Sequence, residues 1–144
     1  MRVLDTDHLR VLQAGGQRAS LLTQRLRSQA EPVYTTIISA HENVSGWQAE
    51  FNAAARASDL VNHYARLEKL LRFYGHWQVL PFDAAAEAEY ARLNRLRLGR
   101  LGPQDLRIAA IVLTQPAEAT PLLLSGDSGF GAIGALQVQD WRPP

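Results

Sequence analysis

The stretch MRVLDTDHL, residues 1–9, decides the fold of this chain. Val3 and Leu4 predict a short apolar strand, which runs through the acidic residue Asp5 directly into a helix. In an α/β sheet, ligands bind just beyond the carboxyl ends of the strands. Asp5 is therefore the first candidate for a site residue.

The rest of the chain alternates between helical and strand patterns. Gly15 and Gly16 end the first helix, and Ser39 with Glu42 has the spacing of a capping box. The predicted helices cover residues 8–13, 17–29, 53–74 and 83–98, together with one segment that begins at Ser39 and one that begins at Pro103. The predicted strands cover residues 2–4, 33–38, 78–80, 121–124 and 136–138. Strands that alternate with helices predict a parallel sheet covered on both faces.

Length and composition limit the class of protein. At 144 residues, 47% of them hydrophobic, the chain predicts one domain, residues 1–144, with its own core. The sequence has neither the roughly 18 apolar residues of a membrane span nor the pattern of a signal peptide, so we expect a cytoplasmic protein. Because it has no cysteine, oxygen or imidazole must hold any metal, which favours Mg²⁺ or Mn²⁺.

The basic residues are almost all arginine. Of 15 basic residues only Lys69 is lysine, while the net charge is only +1. Arginine presents a planar set of donors suited to phosphate oxygens. A host genome that favours arginine codons explains the same composition, so total charge alone does not indicate nucleic-acid binding.

Four acidic residues have positions that fit a site, and each also has an ordinary structural explanation. Asp5 can cap a helix, Glu42 can complete a capping box, Asp105 can face a helix dipole, and Asp127 can close a turn. Together they follow strand ends or open helices at what would be one edge of the sheet. Crowded carboxylates repel one another unless they share a divalent cation. Such a cluster suits phosphodiester hydrolysis, in which Mg²⁺ activates a water and stabilises charge on the phosphate.

Five blocks of sequence, taken in order, resemble the motifs of the PIN domain, and more narrowly those of VapC-type toxins of bacterial toxin–antitoxin pairs. These blocks are residues 5–9, 35–42 with 46–47, 102–110, 124–127 with 130, and 140–141. The resemblance implies a three-layer α/β/α fold with a mostly parallel sheet of four to five strands. It also implies a Mg²⁺- or Mn²⁺-dependent ribonuclease that cuts RNA, a small cognate antitoxin as partner, and a homodimer.

The resemblance also assigns roles to individual residues. Asp5, Glu42 and Asp105 match the acidic metal-binding positions of the family, and Asp127 matches the polar or acidic position after the penultimate strand. Close relatives usually carry an acid where this chain has Gly129, so Asp127 is left to serve alone there.

Other polar residues are candidates for supporting roles. Thr6, Asp7 and Ser125 could orient the carboxylates through hydrogen bonds, or simply close turns. Arg97, Arg100 and Arg107 lie around the loop that delivers Asp105 and could contact RNA phosphates, or form a solvated helix face. The histidines show no zinc-enzyme spacing, and we expect them to be structural or solvated.

Two rival interpretations remain open from the sequence. In a haloacid-dehalogenase-like phosphatase, Asp5 would attack phosphorus and Asp7 would act as general acid, but Lys69 lies in the wrong segment for the lysine that such enzymes need. In a binding module that keeps the fold without the chemistry, the chain would recognise RNA or a protein partner. Gly129 favours this second rival.

Overall fold

The computed structural model describes residues 1–53 and 60–144, which form five strands and six α-helices. The strands are β1 (Arg2–Leu4), β2 (Val33–Thr36), β3 (Gln78–Leu80), β4 (Leu122–Leu124) and β5 (Val138–Gln139). The helices are α1 (Thr6–Ala14), α2 (Gly16–Ser28), α3 (Ile37–Ala53), α4 (Leu60–Tyr74), α5 (Ala84–Arg95) and α6 (Pro103–Leu113). All five strands pair in parallel in the order β3-β2-β1-β4-β5.

Both faces of the sheet are covered by helices. Val3 and Leu123 share one face with α5 and α6, whose residues 108–112 are almost fully buried. Leu4 faces the other side, where it packs with Leu9 of α1 and Leu22 of α2. Neighbouring residues of a strand point to opposite faces, so a sheet covered on both sides needs continuous apolar strands. The three-layer α/β/α fold expected from the sequence is confirmed.

The register brings the carboxyl ends of the central strands to one edge of the sheet. Leu4 pairs with Leu124 and also with Thr35, so the residues that follow these strands are neighbours. The backbone N–H of Asp5 donates to the carbonyl of Leu124 at 3.0 Å. The residues after β1, β2 and β4 therefore meet at the edge where a ligand site is expected.

The start of α3 differs from the prediction. The predicted strand 33–38 ends at Thr36, and the helix begins at Ile37. The Thr36 hydroxyl accepts a hydrogen bond from the Ser39 N–H at 3.1 Å, as a helix cap does. The predicted capping box of Ser39 with Glu42 is wrong, and Glu42 lies inside the helix.

Other boundaries shift by a few residues. Ala53 ends α3 rather than opening the long helix predicted for 53–74, whose described part runs from Leu60, while residues 54–59 lie outside the described part of the chain. The last strand lies at Val138–Gln139 instead of 136–138, and α5 ends at Arg95 instead of near residue 98. Among the described helices, none has the length and apolar character that crossing a membrane requires.

Candidate active site

Asp5 lies between β1 and α1 and is only 7% exposed. Its Oδ1 accepts a hydrogen bond from the Thr6 N–H at 2.6 Å, and its Oδ2 accepts one from the Ser125 hydroxyl at 2.7 Å. Burial raises the pKa of Asp5 to about 6; these two hydrogen bonds oppose the shift, and the charges of Asp7 and Glu42 add to it. Within the described residues no basic side chain is ion-paired with Asp5. A buried carboxylate in this position favours binding of a cation.

Thr6 connects Asp5 with Glu42. Its backbone N–H donates to Asp5, and its hydroxyl donates to Oε2 of Glu42 in a short contact. Thr6 is in the first turn of α1 and Glu42 is in the second turn of α3, so this bond also holds the two helices together at the site edge. Thr6 therefore does more than close a turn, because its hydroxyl also binds a second acidic residue.

Asp105 and Asp127 form a second acidic pair. Asp105 lies in the first turn of α6, and its Oδ2 accepts from the Gly102 N–H at 2.8 Å. Burial raises the pKa of Asp105; the hydrogen bond from Gly102 opposes the shift, and the charge of Asp127 adds to it. Asp127 is exposed, and its Oδ1 accepts from the Gly129 N–H at 2.7 Å. The carboxylate of Asp127 is thus close enough to raise the pKa of Asp105.

Ser125 lies between the two acidic pairs. Its hydroxyl donates to Asp5, and the same oxygen accepts from the Asp127 N–H at 3.1 Å. Within residues 1–53 and 60–144, however, no three acidic or imidazole side chains are close enough together to hold one metal ion. The four acids come to the same edge as two pairs, and the assignment of all four to one metal site stays a prediction.

Asp7 has a different environment from these four acids. Its Oδ2 accepts from the Gly126 N–H at 2.7 Å and lies 3.1 Å from Nη1 of Arg142, while its Oδ1 lies 2.8 Å from Nδ1 of His8. Burial would raise the pKa of Asp7, but His8, the Gly126 N–H and the Arg142 charge together hold it below its usual range. Asp7 is therefore a fixed anion that holds the Gly126 turn against α1.

His8 and Arg142 are part of this arrangement; the sequence predicted His8 only as one of the structural or solvated histidines and did not single out Arg142. His8 is fully buried; its Nε2 accepts from the Trp141 N–H at 3.0 Å, so its Nδ1–H donates to Asp7. The guanidinium of Arg142 binds both oxygens of Asp140 and lies over Gly126. An apolar helix face around His8 is a signal for burial, but no local pattern indicates the position of Arg142.

The surroundings of Gly129 leave little room for a side chain. A Cβ at Gly129 would come 3.0 Å from Oδ1 of Asp127 and 3.0 Å from Cδ2 of Leu101. Leu101 belongs to the loop that leads into α6, so this glycine permits that loop to pack closely against the turn carrying Asp127.

The three arginines predicted to contact RNA have different surroundings. Arg107 lies over the ring of Tyr90, 5.2 Å from its centroid, and donates to Oε1 of Gln104 at 2.8 Å. Arg97 and Arg100 are exposed in the loop before α6. Their contact with RNA stays a prediction.

Comparison with known proteins identifies the fold. No family model and no curated protein match the chain. Among solved structures, it is similar to VapBC-1 from nontypeable Haemophilus influenzae, with 19% identity, a TM-score of 0.72 and 97% of each chain covered. It is also similar to DNA-bound VapBC2 from Rickettsia felis, with 18% identity, a TM-score of 0.68 and coverage of 97% of this chain and 98% of that one.

VapBC-5 from Mycobacterium tuberculosis, described as a member of the VapBC family of toxin-antitoxin systems, is 25% identical with a TM-score of 0.57, and the match covers 98% of this chain and 97% of that one. Full-length agreement with several such structures extends from β1 to the last strand. The chain therefore has the VapC-type PIN-domain fold.

Proposed function

We propose that this chain is a divalent-metal-dependent endoribonuclease that acts as the toxin of a toxin–antitoxin pair. The observation that carries the proposal is Asp5: a buried carboxylate with a raised pKa and no basic partner among the described residues, hydrogen-bonded on one oxygen to Thr6 and on the other to Ser125. Through these two residues Asp5 is linked to Glu42 and to the Asp127 turn.

The donor set fits Mg²⁺ or Mn²⁺ better than softer metals. Asp5, Glu42, Asp105 and Asp127 offer only carboxylate oxygens, and the chain has no cysteine. Mg²⁺ and Mn²⁺ prefer such hard oxygen ligands, whereas Zn²⁺ sites are usually built from Cys and His. When bound, such an ion would supply positive charge that acidifies a water and stabilises the attacked phosphate.

The chain's own residues would give the site its shape. Ser125 and Thr6 hold the two oxygens of Asp5 in fixed directions, and Thr6 also orients Glu42. Such supporting hydrogen bonds keep ligands from turning away and are costly to remove. Asp105 and Asp127 would face the same ion from the α6 side. Asp7 is an anion whose charge is balanced by the ion pair with Arg142. It would position the Gly126 turn and take no part in proton transfer.

The structural neighbours support the biological part of the proposal. Among the similar structures, one is described as a toxin–antitoxin complex and another as a member of a family of toxin–antitoxin systems, and three are described as bound to DNA. By this likeness the present chain would pair with a small antitoxin, form a homodimer and act in the cytoplasm on RNA. The antitoxin would dock near the acidic edge, with an arginine inserted among the carboxylates.

One experiment separates this proposal from its rivals. The purified chain is incubated with structured RNA in Mg²⁺ or Mn²⁺, with and without EDTA, beside the Asp5→Asn variant. We expect cleavage that EDTA and Asp5→Asn both abolish. RNA binding without metal-dependent cleavage would instead indicate the catalytically weak binding module, and cleavage that survives Asp5→Asn would exclude this site.

The phosphatase alternative makes a different demand on Asp7. A general acid must carry a proton at the working pH, but hydrogen bonds and the Arg142 ion pair hold the pKa of Asp7 low. Release of phosphate from small phosphate esters by the purified chain would support the phosphatase alternative. We expect no such release.

A further inference from the structure

An open groove of about 580 Å³ runs between α1, α3 and α4, and Glu42 of the candidate site is one of its lining residues. On α1, Arg10 and Gln13 line it; they follow Thr6 at steps of four and three residues and so lie on the same face of the helix. Because Thr6 donates to Glu42, this face of α1 leads from the acids into the groove. We name it the α1–α3–α4 groove.

The rim of the groove carries positive charge from two helices. Arg10 lies on α1, and Arg66 and Lys69 lie on α4. Arg66 is ion-paired with Glu50 of α3, but no carboxylate of the described chain is within ion-pair distance of Arg10 or Lys69. Two exposed cations on opposite walls are suited to anionic groups of one ligand.

Arg10 lies near the end of the groove that is closest to the candidate site. Burial raises the pKa of the Tyr74 hydroxyl; the hydrogen bond from Asn43 and the charge of Arg10 oppose the shift, and the carboxylate of Glu42 adds to it. Tyr74 is itself fixed by Asn43, whose Nδ2 donates to it at 2.6 Å. A ligand that reaches Glu42 from the groove would pass Arg10.

Within residues 1–53 and 60–144, Gln13 has an unpaired donor in its side chain. Its Nε2 is buried and has no hydrogen-bond partner among the described residues. A buried donor without an acceptor is costly, and most such groups in folded proteins are paired. Leu70, Phe73 and the ring of Trp47 supply apolar lining, and Asn43 and Glu50 add polar groups. An occupant should therefore offer oxygen acceptors, negative charge and flat apolar groups.

We propose that the α1–α3–α4 groove binds the single-stranded RNA next to the scissile bond, with Arg10 and Lys69 on backbone phosphates and the Gln13 amide on an oxygen of the RNA. The proposal rests on the endoribonuclease function above. Single-stranded nucleic acids bind in grooves that combine basic residues along the backbone with apolar surfaces for the bases. An antitoxin segment could fill the same volume, but the groove's continuity with Glu42 and its unpaired cations favour RNA.

The charges are tested by RNA binding in an Asp5→Asn background, which keeps the RNA intact. The probe is a short fluorescein-labelled single-stranded oligoribonucleotide of mixed sequence, followed by anisotropy at several salt concentrations. We expect Arg10→Gln with Lys69→Gln to weaken binding by about tenfold or more and to reduce the salt slope by about 1.4, since each lost contact to single-stranded phosphate removes about 0.7. Arg27→Gln on α2 removes one positive charge elsewhere and should change neither quantity.

Gln13→Met tests the amide separately from the charges. Methionine has a similar shape but no donor, so the variant should melt at a slightly higher temperature while binding the oligoribonucleotide several-fold more weakly with an unchanged salt slope. A packing defect would lower both stability and binding. Equal binding by Gln13→Met and its parent would remove the amide contact from the proposal.

Two results would overturn the groove as an RNA site. The first is that the double variant binds the oligoribonucleotide as tightly as its parent does, especially if a variant with Arg97→Gln and Arg100→Gln does not bind it. The second is loss of antitoxin binding by the double variant with unchanged RNA binding. If the chain with Asp5 intact still cleaves RNA in either case, only the groove proposal fails. If binding depends on the groove but no metal-dependent cleavage occurs, the nuclease proposal fails instead.

Discussion

The guanidinium of Arg142 occupies the space that a side chain at Gly126 would need. A Cβ at Gly126 would lie 1.7 Å from Nη2 of Arg142, and the same guanidinium lies 3.1 Å from Asp7 through Nη1. Asp7 in turn accepts the Gly126 N–H. The tail of the chain is thus held to the first turn of α1 through a glycine at the end of β4.

This relationship predicts coupling between the two positions. Gly126→Ala should lower the free energy of unfolding by about 1 kcal/mol, because the partly exposed guanidinium must move and its contact with Asp7 is lost. In an Arg142→Ala background the same change should cost almost nothing, since the space is free. Urea denaturation of the four proteins in the cycle measures this. An equal cost in both backgrounds would mean that the contact does not exist in solution.

The raised pKa of Asp5 predicts a pH-dependent stability. Its pKa is about 6 in the folded chain against an ordinary 3.8, so the folded state holds its proton more tightly than the unfolded state. The associated stability is complete below about pH 4 and is lost as the pH rises through 6, by about 2–3 kcal/mol in all. In EDTA, the unfolding free energy of the parent minus that of Asp5→Asn should fall by this amount between about pH 4 and pH 7. A difference that is independent of pH would show that Asp5 is not buried as described.

Metal binding predicts a thermal shift that depends on the same carboxylate. Mn²⁺ at about 100 times its dissociation constant should stabilise the chain by about 2.7 kcal/mol, which is several degrees in melting temperature. Asp5→Asn and Glu42→Gln should reduce or abolish this shift. Glu118→Gln removes an exposed carboxylate far along the chain and serves as the matched control. A shift of the same size in all four proteins would point to non-specific binding.

The corrected start of α3 predicts a specific cost at Thr36. Thr36→Val keeps the shape of this buried residue but removes the hydroxyl that accepts the Ser39 N–H, so it should lower the free energy of unfolding by about 0.5–2 kcal/mol. Ser45→Ala, which removes an exposed hydroxyl of the same helix, should cost much less. If Thr36→Val left the free energy of unfolding unchanged and Ser39→Ala lowered it, the result would contradict the helix start at Ile37. It would instead support the capping box of Ser39 with Glu42 predicted from the sequence.

Most of the fold could be predicted because its signals are local. The apolar runs around Val3, Ile111 and Leu123 predicted two central strands and the buried helix, and the caps Asp5 and Asp83 are in place. The boundary at Thr36 could not be predicted, because a β-branched run from Val33 to Ile38 fits a strand throughout while tertiary packing turns its last residues into a helix.

The site was predictable only in part, for a physical reason. Strand ends indicate which residues reach the same edge of the sheet, and they brought out Asp5 and Asp127. They do not indicate side-chain distances, and the acids lie in two pairs instead of one group among the described residues. The contacts of Arg142 and His8 could not be predicted, because they form only when β5 pairs with β4, and no local sequence pattern indicates that pairing.

The central place of β1 in the sheet has a consequence for biosynthesis. Asp5 precedes its partner Ser125 by 120 residues, so the two meet only after β2, β3 and β4 have been translated. Contacts over such separations form late, because the intervening chain must be ordered first. A ribosome-bound intermediate that still lacks β4 would therefore carry Asp5 without the strand that completes its surroundings.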